Sequence, residues 1–196
     1  MSSQSDKLTK AFELFDQANS ADPNIEEIDG QPYPKQVLYA QRMTDTLNQF
    51  LPNAPEALKL ASRSQHICRW ESPRNSYPAG RAGYLKWRAD LKKFHASKAR
   101  EILTEIGYEE AIISEVEFLL QKKQLKKHEN TQALEDVICL VFLEHYFEAF
   151  AAKHEDEKVI SILQKTWNKM SEKGHQAALK IEFAEKPGEL IKLALG

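Results

Sequence analysis

The stretch TQALEDVICLVFLEHYFEAFAA, residues 131–152, decides the fold class of this chain. Wound as an α-helix, it places apolar side chains on nearly every face, and such a helix has to be buried on most sides. We therefore predict a central buried helix over residues 131–153. Thr131 can cap its start, and Glu135 and Asp136 lie in its first turns, where the helix dipole favours acids. Asp136 also falls on a strongly apolar stripe, so its carboxylate is expected to be paired or to coordinate something.

Helical spacing continues on both sides of this segment, and clusters of Pro and Gly separate the periodic stretches. Residues 21–35 hold three prolines and a glycine and predict a loop. No alternating run is long enough to predict a strand. Helices are predicted at 5–19, 35–51, 54–70, 84–106, 109–124, 131–153, 156–170 and 173–183, with a short one at the end. The pattern predicts an all-α fold, a compact multi-helix bundle forming one domain over residues 1–196 with its core at about 8–183.

Composition and charge narrow the classes of function. The chain is 42% hydrophobic and 29% charged, which is typical of a globular protein, and its net charge of −2 excludes a molecule that is cationic overall. We expect no reader of DNA sequence. Cys68 and Cys139 form no CxxC pair, which argues against a zinc ribbon or a disulfide framework. The apolar run at 137–143 is too short to span a bilayer, and MSSQSDKLTK has no apolar signal segment. We therefore expect a cytoplasmic protein that is not associated with a membrane.

Residues 59–100 carry a strong basic bias, with only Glu71 and Asp90 as acids. Aromatic residues are interleaved with the cations, and this combination is what phosphate and base recognition use. For Lys92, Lys93 and the run at 122–127, a solvated helix face is the better explanation. The eleven cations of the segment are Lys59, Arg63, Arg69, Arg74, Arg81, Lys86, Arg88, Lys92, Lys93, Lys98 and Arg100.

The Pro/Gly-rich loop at 71–83 is the predicted lip of a pocket. Arg74 and Arg81 lie in this loop, and an arginine fork suits phosphate or carboxylate, although a purely structural role fits them as well. His66 shares a predicted helix face with Arg63 and Arg69, which makes a ligand-binding role as plausible as a structural one. The candidate ligand-binding residues are Arg63, Arg69, Glu71, Arg74, Arg81 and Arg88.

The order of parts resembles the HD superfamily of metal-dependent phosphohydrolases. HASKAREILTEIG, residues 95–107, is similar to that family's histidine-led helix, and LEDVICLVFLEH is similar to the helix that supplies its last aspartate. The resemblance implies an HD-domain-like bundle in which His66, His95 and Asp136 bind a divalent metal (Mn, Fe or Mg). His66 and Asp136 would then be catalytic.

Two positions depart from the HD pattern. Ile67 stands where the family has an aspartate after the histidine, and Tyr39 stands where it has its first histidine. Two usual metal ligands are therefore missing. The remaining three make a reduced site, with Glu71 as a possible fourth ligand.

A second resemblance covers most of residues 10–175. The phrases DGQPYPKQVLYAQRM, QHICRWESPR, YPAGRAGYLKWR and LEDVICLVFLEHYF are similar to the hallmarks of an uncharacterised all-helical family of unknown function. Some members of that family carry a glutamyl-tRNA synthetase label. KMSEK, residues 169–173, resembles one synthetase loop, but the chain has no HIGH-type motif and no nucleotide-binding α/β pattern, so we do not carry that activity over.

Two functions follow from these patterns. The first is an HD-like phosphohydrolase whose polar pocket holds a phosphorylated small molecule, such as a nucleotide, or an RNA end. The alternative is a non-catalytic module that kept the fold, lost the full metal site and binds RNA or a partner protein through residues 59–100.

Overall fold

A computed structural model describes residues 4–195 and shows an all-α protein. Helices make up 71% of the structure and strands 4%, which confirms the predicted fold class. The chain divides into two compact units between Lys123 and Gln124, where the sequence analysis expects one domain. None of the helices described is both long enough and apolar enough to cross a membrane.

The first unit consists of helices and one small hairpin. Leu103 at the end of its longest helix is fully buried, and Gly107 stops that helix in the left-handed region with φ of +85°. The predicted helices at 5–19, 35–51 and 84–106 are confirmed to within a few residues. The elements in order are α1 (Gln4–Asn19), β1 (Ile25–Ile28), β2 (Gln31–Pro34), α2 (Lys35–Phe50), α3 (Glu56–Arg63), 3-10 turns at Arg69–Glu71 and Arg74–Ser76, α4 (Gly80–Ile106) and α5 (Glu110–Leu120).

The hairpin replaces part of the loop predicted at 21–35. Strands β1 and β2 pair antiparallel with Ile28 opposite Gln31. Asp29 and Gly30 form the turn, and both have positive φ, at 51° and 73°. A two-residue turn of this kind matches the twist of a hairpin, and Asp-Gly is its strongest sequence signal. The strands were missed because each has only four residues and β2 contains two prolines.

Helix α3 ends at Arg63, seven residues before the predicted end of that helix at 70. The chain then turns through Cys68, which adopts the left-handed conformation with φ of 51°. The backbone N–H of Cys68 donates to Asn19 Oδ1 of α1 at 3.0 Å. This contact spans 49 residues, so no local pattern could reveal it. His66 consequently lies in a tight turn rather than on a helix.

The second unit contains the apolar stretch at residues 131–152. Most apolar positions of helix α6 are buried, with Val137 and Val141 fully inaccessible, which confirms a buried helix. It breaks at Tyr146, where φ is −126°, so the helix predicted over 131–153 is two helices. The elements are α6 (Glu129–His145), α7 (Phe147–Ala151), α8 (Asp156–Trp167), α9 (Glu172–Ala178) and α10 (Glu185–Leu195).

Candidate functional site

Three aromatic side chains from different elements of the first unit meet at one place. Tyr39 of α2 stacks on His66 of the turn after α3, with ring centroids 4.1 Å apart and planes inclined by 15°. The ring of His95, from the middle of α4, lies 5.8 Å from the ring of His66. These are three positions that the HD resemblance singled out, and the structure brings them together.

The hydrogen bonds of the two histidines define their tautomers. His95 Nδ1 lies 2.8 Å from the carbonyl oxygen of Ile67, and because a carbonyl only accepts, Nδ1 must carry the proton. His95 Nε2 is therefore a lone-pair acceptor. It is buried and has no partner in the described structure, on a side chain that is only 4% exposed. On the neighbouring ring, Arg69 Nη1 donates to His66 Nε2 at 3.3 Å.

Both histidines are held in the neutral state. Burial lowers the pKa of His95 to about 4; its hydrogen bond to Ile67 opposes the shift, and the charges of Arg69 and Arg88 add to it. Burial also holds the pKa of His66 well below its usual range, with further lowering by Arg69, His95, Arg88 and Lys122. Cations thus surround two uncharged imidazoles, and the local potential is positive.

Arg69 and Arg88 face this site without a carboxylate. Burial and the charge of Arg88 lower the pKa of Arg69, because the two positively charged guanidiniums repel each other. Among residues 4–195, neither arginine forms an ion pair with an acidic side chain. Arg69 lies over the Trp87 ring at 5.0 Å, and Trp87 Nε1 donates to the carbonyl of Ser72 at 2.9 Å, which fixes the position of the guanidinium.

Arg74 binds the backbone of the loop that was predicted to form the lip of a pocket. Its guanidinium donates to the backbone carbonyls of Tyr77 at 3.0 Å, Pro78 at 2.9 Å and Gly80 at 3.3 Å. A Cβ atom on Gly83 would stand 1.9 Å from the Pro78 oxygen, so the loop lies directly against the first turns of α4. In this arrangement Arg74 stabilises the loop and has its donors occupied by the backbone.

The other candidate ligand-binding residues have different surroundings. Arg63 forms an ion pair with Asp16 of α1 and donates to Thr44 Oγ1 at 3.1 Å. Glu71 lies 3.3 Å from the ammonium of Lys98. Arg81 is exposed in the first turn of α4. Of the six candidates, Arg69 and Arg88 are the ones whose charges act on both histidines.

Asp136 belongs to the second unit and is 2% exposed. It accepts hydrogen bonds from the Ser171 backbone N–H at 2.7 Å, the Ser171 hydroxyl at 2.6 Å and Gln132 Nε2 at 3.1 Å. The paired carboxylate that the sequence predicted is thus realised with hydrogen-bond donors at the start of α9. Its two oxygens secure the residue that caps that helix.

Within residues 4–195, no cluster of three or more His, Cys, Asp or Glu side chains is placed to hold a metal ion. Of the three ligands that the HD resemblance implies, His66 and His95 belong to the first unit and Asp136 belongs to the second.

Gln65 is a site-adjacent residue that the sequence analysis did not single out. It precedes His66 in the turn after α3 and is 7% exposed, and its Oε1 is buried without a partner. A polar residue on an otherwise apolar stripe was the available signal, because burying an unsatisfied acceptor costs stability.

Comparison with known proteins places the chain in a family. The model of Domain of unknown function (DUF4202) matches residues 9–191. The comparison with curated proteins gave no match, and neither did the comparison with solved structures. The match runs from within α1 to within α10, and it includes Tyr39, His66 and His95. The chain therefore belongs to the DUF4202 family.

Proposed function

We propose that the protein binds a small phosphate ester at the site formed by His66, His95, Arg69 and Arg88. One observation carries the proposal: the guanidiniums of Arg69 and Arg88 lie near two neutral histidines, and within residues 4–195 neither guanidinium is paired with a carboxylate. Like charges in a partly buried place repel, and an anion relieves the repulsion. The arginine fork supplies paired donors that match phosphate oxygens.

A compact anion site explains the basic segment better than an extended RNA-binding face does. Several of the eleven cations at 59–100 contact carboxylates or backbone carbonyls within the fold, four of which follow. Arg74 holds backbone carbonyls and Lys98 pairs with Glu71. Arg63 pairs with Asp16, and Arg100 pairs with Glu110 and Glu117. These four contribute less to a continuous phosphate-binding surface, which supports the small-molecule interpretation.

Replacing either Arg69 or Arg88 by glutamine is expected to weaken binding of inorganic phosphate and of glycerol 3-phosphate by about tenfold to a hundredfold. A hydrogen bond to a charged group contributes roughly 1.5–3 kcal/mol, which corresponds to that range. Arg88→Gln is also expected to stabilise the ligand-free protein, because it removes the repulsion on Arg69. Isothermal titration calorimetry and urea unfolding measure the two effects.

Arg81→Gln is the matched control, since it removes an exposed arginine from α4, the helix that also carries Arg88. We expect it to change neither the phosphate affinity nor the stability appreciably. Phosphate affinities that are equal in all three variants and the wild type would overturn the proposal. Tight RNA binding whose log–log salt dependence has a slope of about −0.7 for each of several contacts would instead support the RNA-binding module.

A phosphohydrolase is the second candidate, favoured by the free lone pair of His95 Nε2. Water would attack phosphorus, its proton would pass to His95 Nε2, and the ester oxygen would leave with its bonding electrons. Burial and the arginines lower the pKa of His95 to about 4, so the ring is a weak base at neutral pH. For this reason phosphate binding is our first candidate function and hydrolysis is the second. Release of inorganic phosphate from glycerol 3-phosphate that is lost in His95→Asn is the result this candidate requires.

A further inference from the structure

His95 Nε2 is a buried acceptor that has no hydrogen-bond donor within the described residues. In folded proteins most buried polar atoms have a partner, and an exception calls for an explanation. His95 Nε2 cannot be rescued by exchanging the tautomer, because Nδ1 must keep its proton for the carbonyl of Ile67. The nearby cations do not satisfy it either: Arg69 is directed to His66 Nε2.

A second buried acceptor without a donor lies in the adjoining turn. Gln65 Oε1 is unpaired, and Gln65 directly precedes His66. An amide oxygen only accepts, and His95 Nε2 carries a lone pair because Nδ1 holds the ring proton for the carbonyl of Ile67. Two acceptors that remain unprotonated are suited to receive hydrogen bonds rather than to act as bases. The phosphoryl group of an ester dianion brings oxygens for the arginines but carries no O–H to donate to these atoms.

We propose that the ligand of this site is a phosphate ester that also carries a free hydroxyl group, as a phosphorylated polyol or sugar does, and that this hydroxyl donates to His95 Nε2. The inference rests on the phosphate site proposed above. Arg69 and Arg88 hold the phosphate group, and the buried acceptor selects among phosphate esters by the hydroxyl. Sites built to hydrogen-bond a hydroxyl discriminate strongly against analogues without it, because the buried group is then left unpaired.

The test compares three probes on the full chain by isothermal titration calorimetry: inorganic phosphate, n-propyl phosphate and glycerol 3-phosphate. The last two are of similar size and differ in their hydroxyl groups. We expect glycerol 3-phosphate to bind at least about tenfold more tightly than n-propyl phosphate, as one additional hydrogen bond to a buried acceptor provides.

Two variants assign the preference to His95. Asparagine at this position places an amide N–H near the former Nδ1, where it can donate to Ile67, but has no group at Nε2. Glutamine reaches the Nε2 position with a polar atom. The preference for glycerol 3-phosphate is expected to fall to about one in His95→Asn and to recover in part in His95→Gln. The wild-type comparison remains decisive if either variant fails to fold.

The outcomes separate the two proposals. Phosphate binding with equal affinity for n-propyl phosphate and glycerol 3-phosphate overturns the hydroxyl inference and leaves the phosphate site in place. In that case ordered water satisfies His95. Failure of all three probes to bind overturns the phosphate site itself. A preference that persists unchanged in His95→Asn overturns the assignment to this residue.

Discussion

Changing Asp136 to alanine is expected to destabilise the protein by roughly 3–4 kcal/mol, the largest effect we predict for a single substitution. The carboxylate is buried and accepts three hydrogen bonds, two of them from Ser171 at 2.7 and 2.6 Å. Alanine leaves those donors unpaired in the interior. Ser171 also caps α9 by accepting from the Gly174 N–H at 3.1 Å, so the start of that helix loosens as well. Urea unfolding of the full chain measures the change.

Glu172→Ala is the control for Asp136→Ala. It removes a carboxylate from the exposed first turn of α9, where an acid contributes only about 0.3–1 kcal/mol. A double-mutant cycle with Ser171→Ala should show strong coupling, because both changes remove the hydrogen bond between the Ser171 hydroxyl and the Asp136 carboxylate. If Asp136→Ala unfolds at the same urea concentration as the wild type, the structural role is wrong and Asp136 returns to the candidate catalytic residues.

Gly174 supports the structural role of Asp136. A Cβ atom at this position would stand 2.7 Å from Asp136 Oδ1 and 3.2 Å from Met170 Cε. The helix therefore approaches the carboxylate as closely as a residue without a side chain allows. This packing requires a small residue at the third position after the cap, which is a constraint of structure rather than of catalysis.

The second large effect is a loss of stability in acid. Burial, with Arg69 and Arg88, lowers the pKa of His95 from 6.5 to about 4 in the folded protein. Between these pH values the unfolded chain binds a proton that the folded protein does not, so acid favours unfolding. The free energy of unfolding keeps its full contribution from His95 above about pH 6.5. It decreases as the pH falls toward 4, by roughly 3 kcal/mol from His95 alone. His66 acts in the same direction, since its pKa is also lowered.

Urea midpoints across this pH range measure the acid effect. His95→Asn removes one titrating ring and should flatten the profile, whereas His154→Gln removes a histidine of the second unit as a control. Saturating sulfate should also flatten the wild-type profile, because a bound anion offsets the two arginines and raises the pKa of the histidines. Sulfate keeps its charge through the range, so the ligand itself does not titrate. A wild-type profile as flat as that of His95→Asn would contradict the prediction.

The sequence singled out the histidines and the arginines of the candidate site, but it could not distinguish the arginines that lie beside the histidines from those that are paired elsewhere. Arg63 and Arg69 looked alike from composition and spacing, since both lie near His66 along the chain. Arg63 is neutralised by Asp16, which is 47 residues away. In the part of the chain that the structure describes, Arg69 has no carboxylate partner of this kind, and it lies beside the histidines. Ion pairs of this kind depend on which helices become neighbours, and a charge pattern along one segment does not encode that.

The amino-acid sequence by itself determined the helical class, because the period of apolar residues and the Pro and Gly breaks are local properties of the chain. It also determined that Asp136 must be paired, because its position on a buried stripe fixes its surroundings as apolar. Only the tertiary structure decided the partner, which is Ser171 of α9. It likewise decided that α3 stops at Arg63 and that His66, His95 and Arg69 converge, since these depend on contacts such as that of Cys68 with Asn19. The energies of such long-range contacts are set by packing, and no window of the sequence contains both partners.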